Sequence, residues 1–276
     1  MAHVHVGGRE LFQLRRGTGE PLLLVQGMSG THLAWGDAFV DELERDFDVV
    51  SYDHRGVGRS ARVTAPFSIA DLAEDAAGLL DALEIEDAHV LGISMGGMVA
   101  QELALRHPAR VRTLALGCTY PGGAEARITD PAVAQRLSEA IFSGDRERAL
   151  RTGYEANVSA AFAGHSANYQ AFREMATQLP VALEVLMLQL QAIQAHDASE
   201  RLAGIDAPTL VVHGTEDQML PAVNGELIAR LIPGARLELL HGVGHMFWWE
   251  QPQRSARLVR EHALGDVPRA VPRAVR

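Results

Sequence analysis

Cysteine is almost missing: Cys118 is the only one in 276 residues. A lone thiol closes no internal disulfide and builds no zinc site on thiolates, and such a chain suits a reducing cytosol. No apolar run reaches the roughly 20 residues that a bilayer span requires. The first residues, Met1-Ala2-His3-Val4-His5-Val6, have neither the charged start nor the apolar core of a secretory leader. Positive charge is short as well. Lys and Arg number 25 against 35 Asp and Glu, a formal net charge of −10. The arginines are scattered, with no basic stripe, which argues against nucleic acid or a membrane surface as partner. Twelve histidines are available, but none stands in a H-E-x-x-H or related metal-binding spacing. What remains is an ordinary globular composition, 47% hydrophobic and 22% charged, long enough for one large core with an inserted subdomain. A cytoplasmic location is expected, and homo-oligomerisation stays open.

Short apolar runs alternate with helical patterns through most of the chain. Val4–Val6 and Leu11–Leu14 flank Gly7-Gly8 and read as an opening hairpin. Leu22–Val25, Val49–Tyr52, Val90–Ile93 and Leu114–Gly117 are compact strands of the kind buried on both faces. Ser68, with Asp71 three residues on, caps a helix whose apolar positions run from Ile69 to Leu83. After Pro121-Gly122-Gly123 the alternation stops and only helical patterns follow. Asp130-Pro131 starts one helix, and Leu183, Leu186, Met187, Leu190 and Ile193 form the stripe of another. Strands resume at Thr209–His213 and Arg236–Leu240. The expected architecture is α/β, a mostly parallel sheet flanked by helices. Residues 1–122 and 204–265 make the core, 123–203 an all-helical cap, and 266–276, rich in Pro and Arg, a disordered tail.

The chemistry concentrates in Gly92-Ile93-Ser94-Met95-Gly96-Gly97. A G-x-S-x-G pattern arises by chance in roughly one of ten chains this rich in glycine, so its context must carry it. Here a strand precedes it and a helix, closed by Pro108, follows it. That is the setting of a nucleophile elbow, with Ser94 on a strained turn. A serine hydroxyl needs a base to take its proton and an acid to orient the base. "PTLVVHGTEDQMLP" places Glu216 and Asp217 just past a strand, and "LELLHGVGHMFWWEQP" places His241 and His245 just past the next. Asp217, four residues beyond His213, can turn back toward the sheet edge, while Glu216 faces outward. Gly242-Val243-Gly244 can bring His245 over the serine, while His241 ends its strand and serves packing or capping. An oxyanion hole needs two backbone donors. Met95, after the nucleophile, offers one. Met28, in Gln26-Gly27-Met28-Ser29-Gly30, offers the other.

Together these segments, with Tyr52-Asp53-His54-Arg55-Gly56-Val57-Gly58-Arg59-Ser60, resemble the α/β-hydrolase superfamily over nearly the whole chain. Within it, "YDHRGVGRS" and "GISMGGMVAQELALRHPARV" resemble the branch of enol-lactone hydrolases, small carboxylesterases and cofactor-free haloperoxidases. The resemblance implies a serine hydrolase of carboxylic esters or lactones with Ser94, Asp217 and His245 as triad, Met28 and Met95 as oxyanion donors, a small-molecule substrate, and no cofactor or metal. It implies that Asp53 and Arg55 hold their loop together rather than react. Gln26-Gly27 stands where the family often has His-Gly, which loosens the link to the carbon–carbon bond hydrolases. The same triad serves perhydrolysis, with peroxide in place of water, and some proteins of this fold only bind ligands. The insertion is expected to cap Ser94, with the Leu183–Ile193 stripe buried and Phe172, Met175 and Met187 adding an apolar underside.

Overall fold

The computed structural model describes residues 1–265, so the expected disordered tail lies outside the described residues. Eight strands form one sheet in the order β1-β2-β4-β3-β5-β6-β7-β8. They are β1 Ala2–Val6, β2 Arg9–Arg16, β3 Glu20–Val25, β4 Phe47–Tyr52, β5 Ala88–Ile93, β6 Val111–Gly117, β7 Thr209–Gly214 and β8 Arg236–Leu240. The β1–β2 and β2–β4 pairs are antiparallel and every other pair is parallel. Side chains alternate across the sheet. Leu23, Val25 and Val90 therefore join the apolar cluster under helices α2 (Ile69–Ala82) and α3 (Met95–Arg106). Leu22, Leu24 and Leu91 join the opposite cluster, with Trp35, Phe39 of α1 (Asp37–Leu43) and Val259 of α11 (Pro252–Leu264). Helices on both faces explain why these strands carry no polar side. Ser68 opens α2 with a capping box, its hydroxyl accepting from Asp71 N–H while the Asp71 carboxylate accepts from Ser68 N–H.

Between β6 and β7 the described residues hold helices and no strand: α4 Pro131–Phe142, α5 Arg146–Asn157, α6 Ala160–Ala163, α7 Ser166–Gln178 and α8 Leu183–Gln194. Asp130 caps α4, with Pro131 at its first position. Helix α9 (Val223–Leu231) follows β7, and α10 (Phe247–Glu250) precedes α11. No single described helix is long and apolar enough to cross a membrane.

One expectation about α8 holds only in part: Leu186 and Ile193 of its stripe are partly buried, but three other residues are not. Leu183, Met187 and Leu190 remain 46%, 50% and 37% exposed, whereas Val185, Gln189 and Ala192 are buried. Periodicity finds a face of a helix but not the surface that covers it. Here Val185 packs on Gly56, Gln189 meets Ser29, and Tyr120 Oη donates to Ile193 O. The buried face of this helix thus centres on an amide.

His196, just after α8, is buried against Tyr120, and burial pushes its imidazole down to about 4, with Glu102 opposing that fall in part. A folded pKa below the unfolded one means that protonation favours unfolding. The stability contribution is whole above about 6.5 and is lost as pH falls toward 4. Urea midpoints for wild type and His196→Asn should therefore diverge between pH 7.5 and 4.5. Wild type should lose on the order of 3 kcal/mol more than the variant. Parallel curves would show that His196 does not drive the acid sensitivity.

Candidate active site

Because β3 and β5 to β8 run parallel, their C-terminal ends share one edge of the sheet, where such folds present ligands. Ser94 stands there between β5 and α3 at φ 53, ψ −125, a left-handed conformation that a non-glycine residue adopts at a cost. The turn is pinned from both sides. Ser94 N–H donates to Gly117 O at 2.9 Å, and Thr119 Oγ1 donates to Ser94 O at 2.7 Å. Gly96 is needed for close approach: a Cβ there would overlap the carbonyls of Val25 and Gln26. The helix start is thereby pressed against the loop after β3. A Cβ on Gly27 of that loop would lie 3.0 Å from Ser94 Cβ. Among the described residues, neither Met28 N–H nor Met95 N–H has an acceptor.

Asp217 and His245 meet directly. His245 Nδ1 lies 2.7 Å from Asp217 Oδ2, and both residues are buried. Asp217 Oδ1 accepts from Met219 N–H at 2.8 Å and Leu220 N–H at 2.9 Å. Burial alone would raise this carboxyl, but the His245 charge and the N–H groups of His213 and His245 hold it well below the ordinary carboxylate range. Glu216 and His241, the neighbouring candidates, are exposed. The His245 loop is tied down on both sides. Gly244 N–H donates to Glu250 Oε1, and Met246 N–H donates to Asn157 O of α5, each at 2.8 Å. Phe247 packs over Gly117, where a Cβ would lie 2.7 Å from its ring and 2.9 Å from Ile93 Cγ2. The segment after β8 therefore reaches back past β7 to the end of β6, whose Gly117 sits beside Ile93, the residue before Ser94. No hydrogen bond joins Ser94 to His245 among the described residues. The aromatic run beyond His245 anchors the C-terminal segment, with Trp248 and Trp249 both donating to Ala34 O.

Supporting the β3 loop is the 52–60 segment. Asp53 Oδ1 accepts from His32 N–H at 2.7 Å and faces His32 Nδ1 at 2.9 Å, Oδ2 accepts from Arg59 N–H, and Arg55 pairs with buried Asp75. His54 Nε2 donates to Gln26 O at 2.9 Å. These groups are spent on loop architecture. Gln26 braces its own loop, its Oε1 accepting from Gly27 N–H at 2.8 Å, while its Nε2 is buried with no partner among the described residues.

Cys118 follows β6, and its Sγ, an Asp217 oxygen and a His245 nitrogen lie within 4.8 Å of one another. Burial and the Asp217 charge push the thiol well above its usual range, so it faces the acid as a neutral group rather than as a thiolate ligand. Two further residues escaped the sequence reading. Gln189 Oε1 accepts from Ser29 N–H at 2.9 Å, tying α8 to the β3 loop across 160 positions. His213, one residue before the end of β7, lies next to Asp217. A polar residue in a largely apolar helix, or inside a buried strand, was the only local signal of either.

A family model for the alpha/beta hydrolase fold matches residues 20–252. The chain belongs to that family. It is 32% identical over 256 residues to a protein of Azorhizobium caulinodans named carbamate hydrolase RutD, covering 90% of this chain and 92% of that one. Among solved structures, an enol-lactonase from Burkholderia xenovorans superposes with a TM-score of 0.83 at 27% identity, covering 95% of this chain and all of that one (100%). Est816, described as an N-acyl homoserine lactone degrading enzyme, superposes with a TM-score of 0.78 at 28% identity, covering 94% and 99%. As a member of this family, the protein is a hydrolase of the alpha/beta fold.

Proposed function

We propose that the protein is a serine hydrolase that cleaves a small carboxylic ester or lactone through an acyl-enzyme on Ser94. The observation that carries the reading is the buried Asp217–His245 contact of 2.7 Å on the same sheet edge as a serine held at φ 53. Asp217 accepts from His245 Nδ1–H, which leaves Nε2 of the neutral ring free to take a proton. Ser94 Oγ loses its proton to that nitrogen as it attacks the substrate carbonyl. The Met28 and Met95 amides receive the oxyanion. His245 then protonates the leaving alkoxide, and water, deprotonated in turn by His245, releases the acid and restores Ser94. Every step is carried by these side chains and amides, with an ester or lactone as the only organic partner.

A fluorophosphonate probe tests the nucleophile. It should add to the Ser94 peptide, as read by mass spectrometry, and should add to nothing in Ser94→Ala. Labelling elsewhere, or none in an intact protein, would refute the assignment. The 32% identity to a protein named as a carbamate hydrolase favours a second reading, a carbamate as the acyl compound. Matched aryl acetate and aryl N-methylcarbamate substrates separate the two. A kcat/KM ratio in favour of the acetate by more than about a hundredfold, beyond the carbamate's lower electrophilicity, supports the ester reading.

A further inference from the structure

His213 is a buried titratable group that the reaction sequence above does not use. It stands one residue before the end of β7 with a relative exposure of 0%. Its Nε2 lies 2.8 Å from Leu220 O. A carbonyl can only accept, so the proton is on Nε2 and the backbone itself dictates the tautomer. The same nitrogen is 3.2 Å from Asp217 Oδ2. Nδ1 is buried with no hydrogen-bond partner among the described residues. It faces Gly225 in the first turn of α9, where a Cβ would stand only 2.8 Å away. The helix has thus left out a side chain where this ring sits.

The position matters because of what Leu220 does. Its N–H is held by Asp217 Oδ1 and its carbonyl by His213 Nε2–H. The four-residue turn from Asp217 to Leu220 is closed at both ends, once by the acid and once by the imidazole. The acid's other oxygen, Oδ2, then faces two ring nitrogens, His245 Nδ1 at 2.7 Å and His213 Nε2 at 3.2 Å. Cys118, the remaining buried group beside it, has only a weak S–H donor to offer.

We propose that His213 is a positioning residue for the Asp217–His245 pair: its Nε2–H closes the Asp217 turn through Leu220 and sets a positive edge against Oδ2, so that this oxygen stays aimed at His245 Nδ1. The role rests on reading Asp217 and His245 as the acid and base of hydrolysis. It assigns no proton transfer to His213.

The test uses two replacements of nearly equal length and volume. Glutamine is a poor mimic of the ring's shape but supplies N–H donors, so His213→Gln and His213→Met differ chiefly in the donor. A space-filling role would be served equally by both. In the full-length protein, His213→Met should lower kcat/KM for an aryl acetate by about tenfold or more, through loss of the hydrogen bond to Leu220 O that closes the acid's turn and of the N–H edge beside Oδ2. The loss should fall on kcat with KM little changed, and His213→Gln should recover most of it. The low-field proton resonance between His245 Nδ1 and Asp217 should shift or broaden in His213→Met and return in His213→Gln. Equal behaviour of the two variants, or a His213→Met rate within twofold of wild type, overturns the proposal. If His213→Met does not fold, Gly225→Ala displaces the ring instead and should show the same losses; unchanged activity and resonance there would overturn it equally. The resonance needs no substrate, so it judges His213 even if wild type turns over no ester, a result that would sink the hydrolase reading by itself.

Discussion

Ser94→Ala is expected to abolish ester hydrolysis, by about ten-thousandfold or more in kcat, while the fold is kept. The size of the effect follows from covalent catalysis: without Oγ there is no acyl-enzyme, and water must attack the substrate directly. Stability should hold because Ser94 Oγ donates no hydrogen bond among the described residues. The turn is held instead by backbone groups, Ser94 N–H to Gly117 O and Thr119 Oγ1 to Ser94 O, which alanine retains. Alanine tolerates φ 53 about as poorly as serine does, so the strain is unchanged. Steady-state kinetics on an aryl ester, with circular dichroism to certify the fold, give the answer. A folded Ser94→Ala protein with a tenth of wild-type activity would remove Ser94 from the mechanism.

Asp217→Asn should cost on the order of a thousandfold to ten-thousandfold, and Glu216→Gln almost nothing. The reason lies in the count of donors around the acid. One carboxylate oxygen takes Met219 and Leu220 N–H, and the other faces His245 and His213. An asparagine has one acceptor oxygen. If it keeps the two backbone bonds, its NH2 points at His245 Nδ1, which must then accept. The imidazole proton moves to Nε2, where it blocks the transfer from serine. If the amide flips, two backbone donors face an NH2 group in a buried site, and the turn is destabilised. Glu216 is exposed and has no such duty. An impaired Glu216→Gln protein beside a healthy Asp217→Asn protein would move the acid by one residue.

The chain order itself made the α/β architecture legible. Strand runs such as Leu22–Val25 and Val90–Ile93 are apolar without alternation, and only a strand covered on both faces can afford that. The strand–glycine–serine–glycine–helix context of Ser94, and the positions of Asp217 and His245 just beyond two later strands, are properties of sequence and of parallel topology. Position in the turn, four residues beyond His213, set Asp217 apart from Glu216.

Tertiary structure alone decided the rest. Helical periodicity offered the Leu183–Ile193 stripe for burial, yet the neighbours that α8 meets are Gly56, Ser29 and Tyr120, and they cover Val185, Gln189 and Ala192 instead. The contact between Ser29 and Gln189 joins residues 160 positions apart, a spacing with no sequence signature. His213 reads as one more residue of a strand until Leu220 O, Gly225 and Asp217 are placed around its ring. Period and polarity are local quantities and were readable from the chain; partners for buried amides and imidazoles come from other elements, and exist only once the sheet has brought those elements together.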